Sequence, residues 1–254
     1  MDRKEYETMF AVEDRHWWYV GMQRITTTLA TQLYAGQNNL RILDAGCGTG
    51  AAMQYLSAFG PVTGCDVSSI ALSYSRKRGL ERLSQASVTC LPFRSESFDL
   101  VTSFDVLYHR AVAEDTHALM EFSRVLRPGG RILLRLPAYD WLRGRHDKAV
   151  HTAHRFTTGE LHHALGASGF VVEKLSYANT LLFPLALTKR LLERFLPKGE
   201  GSDIHRELSR HNAFLAKILS AEARWLAHHS FPFGLSVIAI GRKPHWERDT
   251  AART

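Results

Sequence analysis

At 254 residues, with 45% hydrophobic and 22% charged residues, the chain has the apolar content of one large domain, and it is neither low-complexity nor collagen-like. No apolar run approaches the roughly 18 residues that a membrane-spanning helix needs, and Met1-Asp2-Arg3-Lys4-Glu5 is not followed by the apolar stretch of a secretory signal. The 32 Lys and Arg against 25 Asp and Glu give a net charge of +7, dispersed along the chain rather than gathered into a nucleic-acid-binding block. Cys47, Cys65 and Cys90 make no disulfide framework and predict a reducing, cytoplasmic setting.

Strand-like and helix-like periodicities alternate. Strands are predicted at Arg41–Asp44, Pro61–Asp66, Ser87–Leu91, Phe98–Ser103, Arg131–Leu136, Phe170–Tyr177 and Leu235–Ile240. Helices are predicted at Ala51–Phe59, at Ser69–Arg78 behind a Ser68 or Ser69 cap, at Glu114–Leu126, and at Thr157–Ser168 behind a threonine cap. Such alternation predicts a doubly wound, mostly parallel α/β sheet, which binds ligands beyond the carboxyl ends of its strands. The first forty residues, Ala138–Phe156 and Asn179–Ser230 do not fit a minimal sheet. They are expected to form a helical lid over the ligand face.

Asp44-Ala45-Gly46-Cys47-Gly48-Thr49-Gly50 links the first strand to its helix, and Asp66 ends the second strand. Glycines let a ligand approach main-chain N–H groups, and a distal acid can accept from two ribose hydroxyls. Gly46-x-Gly48-x-x-Ala51 also satisfies the loose dinucleotide fingerprint. Asp44 argues against that reading, because a carboxylate repels a pyrophosphate at close range. It suits the ammonium group of S-adenosylmethionine.

The chain resembles the class I S-adenosylmethionine-dependent methyltransferases over residues 40–178. Ile42–Gly50 resembles their first motif and Gly64-Cys65-Asp66-Val67-Ser68 their ribose-binding motif. Leu91-Pro92-Phe93 with Ser97-Phe98-Asp99-Leu100-Val101 is similar to the adenine-flanking segment, and Val125–Gly130 to the turn before strand five. The resemblance implies a seven-stranded Rossmann-like sheet whose last strand is antiparallel. Residues 1–242 would form one domain, with a helical cover at 1–38, the core sheet at 39–178 and 231–242, and a lid insertion at 179–230. Residues 243–254 would be a polar tail. S-adenosylmethionine would be the cofactor, held by Asp44, Ala45, Gly46, Cys47, Gly48 and Gly50. Asp66 would hold the ribose and Val67 would pack on the adenine. Cys90 and Leu91 would flank that ring, Phe104 would lie near the sulfonium, and Arg24 would pair with the donor carboxylate. Ser87 stands where many relatives carry an Asp for the adenine amino group.

Methyl transfer to a hydroxyl or amine needs an aligned nucleophile and a base. His109, His146 and His154 are the candidate bases, since imidazole titrates near neutrality. Trp17, Trp18, Tyr108, Trp141, His151 and Arg155 are the candidate acceptor contacts. The tryptophans can stack on a planar acceptor or a cation, or simply pack the cover to the core. His146, Asp147, His151 and His154 lack a recognised metal-ligand spacing, so no metal is expected. The apolar run Leu181–Leu187, followed by Lys189, Arg190 and Arg194, reads as the underside of the lid or as a peripheral membrane contact through 181–196. These features point to methylation of a small or lipid-like acceptor, at oxygen in preference to nitrogen or carbon. A nucleic-acid or protein acceptor is disfavoured, because strand four ends Ser103-Phe104-Asp105-Val106 and not in the Asn/Asp-Pro-Pro-aromatic run of amino-methylating enzymes. A nicotinamide-dependent oxidoreductase and a non-catalytic donor-binding module are the remaining alternatives.

Overall fold

The computed structural model describes residues 3–110, 112, 115–144, 147, 150–188 and 211–245. In chain order these form α1 (Arg3–Val12), α2 (Trp17–Leu33), β1 (Ile42–Ala45), α3 (Ala51–Leu56), β2 (Val62–Asp66), α4 (Ser69–Lys77), β3 (Leu83–Gln85) and β4 (Phe98–Phe104). There follow α5 (Asp115–Val125), β5 (Leu126–Pro137), α6 (Thr158–Ala167), β6 (Val171–Ala178), α7 (Asn212–His228) and β7 (Ser236–Arg242). A short helical turn covers 183–188. The strands make one seven-stranded sheet in the order β3-β2-β1-β4-β5-β7-β6. Strands β1 to β5 pair in parallel, and β7 runs antiparallel to both β5 and β6.

The central strands read as unbroken apolar runs because both of their faces are covered. Successive side chains point to opposite faces, and the two cores follow that alternation. Leu43, Val101, Ile132 and Leu134 pack with Leu119 and Phe122 of α5 and Leu161 and Leu165 of α6. Ile42, Leu100, Leu133 and Ile238 pack with Ile25 and Leu29 of α2, Met53 of α3 and Leu219 and Leu226 of α7. Helices α2 and α7 therefore form a layer of the sandwich, whereas the sequence suggested a cover and lid hanging outside the sheet. They approach closely at Gly21, where a Cβ would stand 2.5 Å from the Leu219 side chain.

The third strand is a correction. The ladder strand is Leu83–Gln85, while Ser87 and Cys90 form only an isolated bridge. The Ser87 hydroxyl accepts from the Thr89 N–H at 3.2 Å, a local bond that competes with strand pairing. Strand β5 is longer than its apolar core predicts. It starts at Leu126 and carries Pro128 and two glycines through a register shift against β4, the kind of irregularity that tolerates proline in a sheet. Thr157 caps α6 in a capping box with Glu160, a pairing that satisfies two otherwise orphaned N–H groups.

Glu222 fixes the exit from β6. This α7 side chain is buried, and its two oxygens accept the N–H groups of Asn179 and Leu181, each at 2.7 Å. Burial raises its pKa against these bonds. Glu222→Gln presents an amide N–H2 to one of the two donors, and a buried unsatisfied group costs about 1–3 kcal/mol. Thermal denaturation should show the melting temperature lowered by several degrees.

Candidate functional site

A cavity of about 910 Å³ opens along the carboxyl ends of the parallel strands, near the upper end of the roughly 300–1,000 Å³ of small-molecule sites. At one end is the glycine loop. Gly46 has φ 82°, and a Cβ there would stand 2.3 Å from Val106 Cγ2, so glycine is required on both counts. The N–H groups of Gly46 and Cys47 donate to Cys65 O at 2.8 and 2.9 Å, which ties the loop to the end of β2.

Two carboxylates face this loop. Asp44 is 1% exposed. The residue lines the cavity; its Oδ1 accepts from Thr102 Oγ1 at 2.8 Å, and its buried Oδ2 has no hydrogen-bond partner among the described residues. Burial pushes its pKa up to about 7, against the pull of Thr102 and Arg135. Asp66 accepts from Ser68 N at 2.8 Å and Gly48 N at 3.0 Å, and burial raises its pKa too. Each carboxylate oxygen can accept two hydrogen bonds, so Asp66 keeps capacity for hydroxyl donors.

At the middle of the cavity is a pair that sequence reasoning missed. Arg135, at the end of β5, is 9% exposed. Its Nε and Nη2 each lie 2.8 Å from Asp105 Oδ2, and its guanidinium sits 4.8 Å from the ring centres of both Trp18 and Phe104. Asp105 holds its carboxylate there from φ 57°, an uncommon conformation for a residue with a side chain. The signal was a cation inside the apolar run Arg131–Pro137, since a charge in a buried strand is rarely there by default.

The loop is closed from above by the N-terminal helices. Thr49 Oγ1 donates to Glu13 Oε1. Arg78 donates to Glu13 at 2.7 Å, to Asp14 at 3.1 Å and to Thr49 O at 3.0 Å. Asn212 of α7 accepts from Trp17 N at 2.8 Å and donates to Arg15 O at 2.7 Å, which pins the turn between α1 and α2. No local pattern announces these contacts, because Glu13 and Arg78 are 65 positions apart.

Asp44, Gly46, Cys47, Gly48, Asp66, Val67 and Phe104 all line the cavity, whereas Ala45 is buried behind it and Gly50 caps α3. Val67 is 60% exposed, so adenine packing against it would be one-sided. Cys90 and Leu91 do not line the cavity; Ala86, Ser87 and Val88 do. The cause is the Ser87–Cys90 turn, which leaves Cys90 at the surface and sends Leu91 into the core. Arg24 is exposed on α2 outside the cavity, because the helix turns its Ile25 face to the sheet.

Among the acceptor candidates, Trp17, Trp18, Tyr108, His109 and Arg155 line the cavity. The cation that Trp18 meets is Arg135. Burial lowers the pKa of His109. Arg155 is committed to Asp147 through bonds of 2.8 and 2.9 Å and is not free to take an acidic group. His154 lies outside the cavity, 2.9 Å from Asp140 and 3.5 Å from Glu160. Trp141 is 60% exposed, and His151 packs edge-on to His109. His146 lies outside the described residues.

Residues 43–134 match a methyltransferase domain model. Over 117 residues the chain is 42% identical to a demethylmenaquinone methyltransferase of Clavibacter sepedonicus, covering 44% of this chain and 45% of that protein. Over 94 residues it is 36% identical to a probable tRNA methyltransferase 9B of Homo sapiens, covering 37% and 20% respectively. The chain thus spans less than half the length of these curated relatives. The structure is similar to a methyltransferase solved with the Haloferax volcanii Trm112 methyltransferase activator, with a TM-score of 0.60 and 21% identity over 96% of this chain and 94% of that one.

The clamp over the glycine loop is open to a direct check. Arg78→Met leaves Glu13 buried without its cation, and breaking such a pair costs about 3–5 kcal/mol. Hydrogen exchange across α1 should accelerate in the variant, while the strands keep their protection. Residues 43–134 thus match a methyltransferase domain, and they are carried on a seven-stranded Rossmann-like sheet with the fold of the class I methyltransferases.

Proposed function

We propose that this chain transfers a methyl group from S-adenosylmethionine to a small, largely apolar acceptor of lipid-like character, at oxygen in preference to nitrogen or carbon. The observation that carries the reading is one continuous cavity. It joins the Asp44 and Gly46 cradle to a chamber walled by Val106, Leu142, Val150, Leu182 and Leu235. The unpartnered Asp44 Oδ2 suits the donor's ammonium group, and Asp66 suits its ribose hydroxyls. Bound there, the donor supplies an electrophilic methyl carbon.

The chain's own residues supply position and proton transfer. Trp18, Phe104 and the Arg135–Asp105 pair pack together as one wall of the cavity. His109, whose pKa burial lowers, takes the proton from an acceptor hydroxyl. Leu181, Leu185 and Trp141 are exposed beside the chamber, and this apolar rim supports loading of a lipid-like acceptor from a membrane surface. None of the described helices is long and apolar enough to cross a membrane. The named acceptor of the demethylmenaquinone relative also favours a small apolar substrate. An RNA acceptor is the second reading, favoured by the tRNA methyltransferase relative and the net charge of +7.

Calorimetric titration with S-adenosylmethionine, with NADH as control, tests the reading; binding of NADH alone overturns it. Asp66→Ala should weaken donor binding at least about tenfold, through loss of charged hydrogen-bond acceptors. His109→Ala should leave donor affinity intact and lower turnover by roughly 10²-fold or more. Asp44 attracts the ammonium only when ionised, a form populated above a pKa of about 7 and lost below it. Donor affinity should therefore rise with pH across about 7 and level off above it, and Asp44→Asn should abolish that rise. With labelled donor, incorporation into a quinol rather than into bulk tRNA separates the two acceptor readings.

A further inference from the structure

Two residues that line the cavity each carry a buried side-chain oxygen with no hydrogen-bond partner among the described residues: Asp44 Oδ2 and Asn179 Oδ1. The donor's ammonium group accounts for the first. The second lies at the far end. The sheet order puts four strand steps between β1 and β6, on the order of 19 Å at about 4.8 Å per step. A donor laid from Asp44 to Asp66 runs from β1 to β2, away from β6, and does not reach Asn179.

Asn179 is held firmly in this position. It is 1% exposed and adopts φ 58°, a left-handed conformation that asparagine visits more readily than most side-chain-bearing residues. Its N–H donates to Glu222 Oε2 at 2.7 Å, and the next residue's hydroxyl, Thr180 Oγ1, donates to Phe233 O at 2.6 Å. Leu182 and Leu235 line the cavity nearby in sequence and on the β7 side. An oriented, buried amide oxygen at a mostly apolar wall selects strongly for a ligand that brings it a hydrogen, because any other ligand leaves it desolvated and unpaired.

We infer that Asn179 is a specificity residue for the acceptor, taking a hydrogen bond from an O–H or N–H group at the end of the acceptor remote from the donor. The acceptor class is thereby narrowed to apolar molecules bearing a free hydroxyl or N–H, to the exclusion of their fully alkylated counterparts. This inference rests on reading the cavity as a methyltransferase site.

The test compares 2-naphthol with 2-methoxynaphthalene, which differ in the hydrogen that Asn179 would receive. Each is titrated calorimetrically into the protein saturated with S-adenosylhomocysteine. Wild type is expected to prefer the naphthol by about tenfold or more. Asn179→Gly, which tolerates the left-handed backbone, is expected to lose most of that preference, and a His109→Ala variant to retain it, while both keep their affinity for S-adenosylhomocysteine. Equal affinities in wild type, a preference undiminished in Asn179→Gly, or no binding of either compound overturns the assignment. A crystal of the wild-type protein with 2-naphthol gives a second readout that does not depend on the variant folding. Its oxygen should lie within hydrogen-bond distance of Asn179 Oδ1, and a naphthol seated elsewhere overturns the assignment. Failure of the methyltransferase reading shows separately, as silence towards S-adenosylhomocysteine, and the naphthol comparison in ligand-free protein then decides the role of Asn179.

Discussion

The architecture of the site depends on compensating one buried positive charge. A guanidinium taken out of water loses several kcal/mol of effective solvation, even after relaxation. Arg135 lines the cavity, and three side chains from two elements recover that loss. Asp105 supplies the countercharge from the end of β4, Phe104 one aromatic face, and Trp18 of α2 the other. Because Trp18 belongs to the N-terminal helices, the electrostatics of the sheet edge and the seating of the cover are one problem. The left-handed conformation of Asp105 follows from it, since the chain must turn there to aim the carboxylate back at β5.

A second ionic cluster shapes the donor end by the same logic. Arg78 and Glu13 bury each other above Thr49, so the glycine loop is roofed by side chains that directly follow α1 and α4. The two clusters leave the cavity walled by committed charges. Asp44 Oδ2 and Asn179 Oδ1 are the buried side-chain oxygens left without a partner among the described residues, and an uncompensated polar atom in a low-dielectric wall is where a ligand gains most.

The geometry of the glycine loop and its two carboxylates was legible in the sequence because it is local. Gly46 is demanded by its own φ and by the closeness of Val106, and Asp44 and Asp66 sit at strand ends that periodicity locates. Strand positions in the core were legible for the same reason, since β1, β2, β4 and β7 are short apolar runs bounded by turn residues. The third strand was not, because Leu83–Gln85 is a short, half-exposed edge strand while Ser87–Leu91 has the stronger β composition. The acceptor end was not legible either. His154 and Arg155 were correctly placed after β5, but nothing local shows that Asp140 and Asp147 engage them. Asn179 gains its meaning from Glu222, 43 positions later, and from a sheet order that no single segment encodes.

The antiparallel strand β7 lies inside the sheet, between β5 and β6, yet it is the last strand in sequence among the described residues. A chain emerging in order from a ribosome can pair β1 to β5 as they appear, and that stretch contains the glycine loop, Asp44 and Asp66. Strand β6 has no ladder partner until Ser236–Arg242 has been made, so the half of the cavity that ends at Asn179 is assembled last. The long-range pairing of β7 carries the largest loop-closure cost on both of its edges, the kind of step that slows folding and exposes strand edges meanwhile. Until that strand slots in, a nascent chain would have the glycine loop and its two carboxylates in place but no finished chamber beyond them.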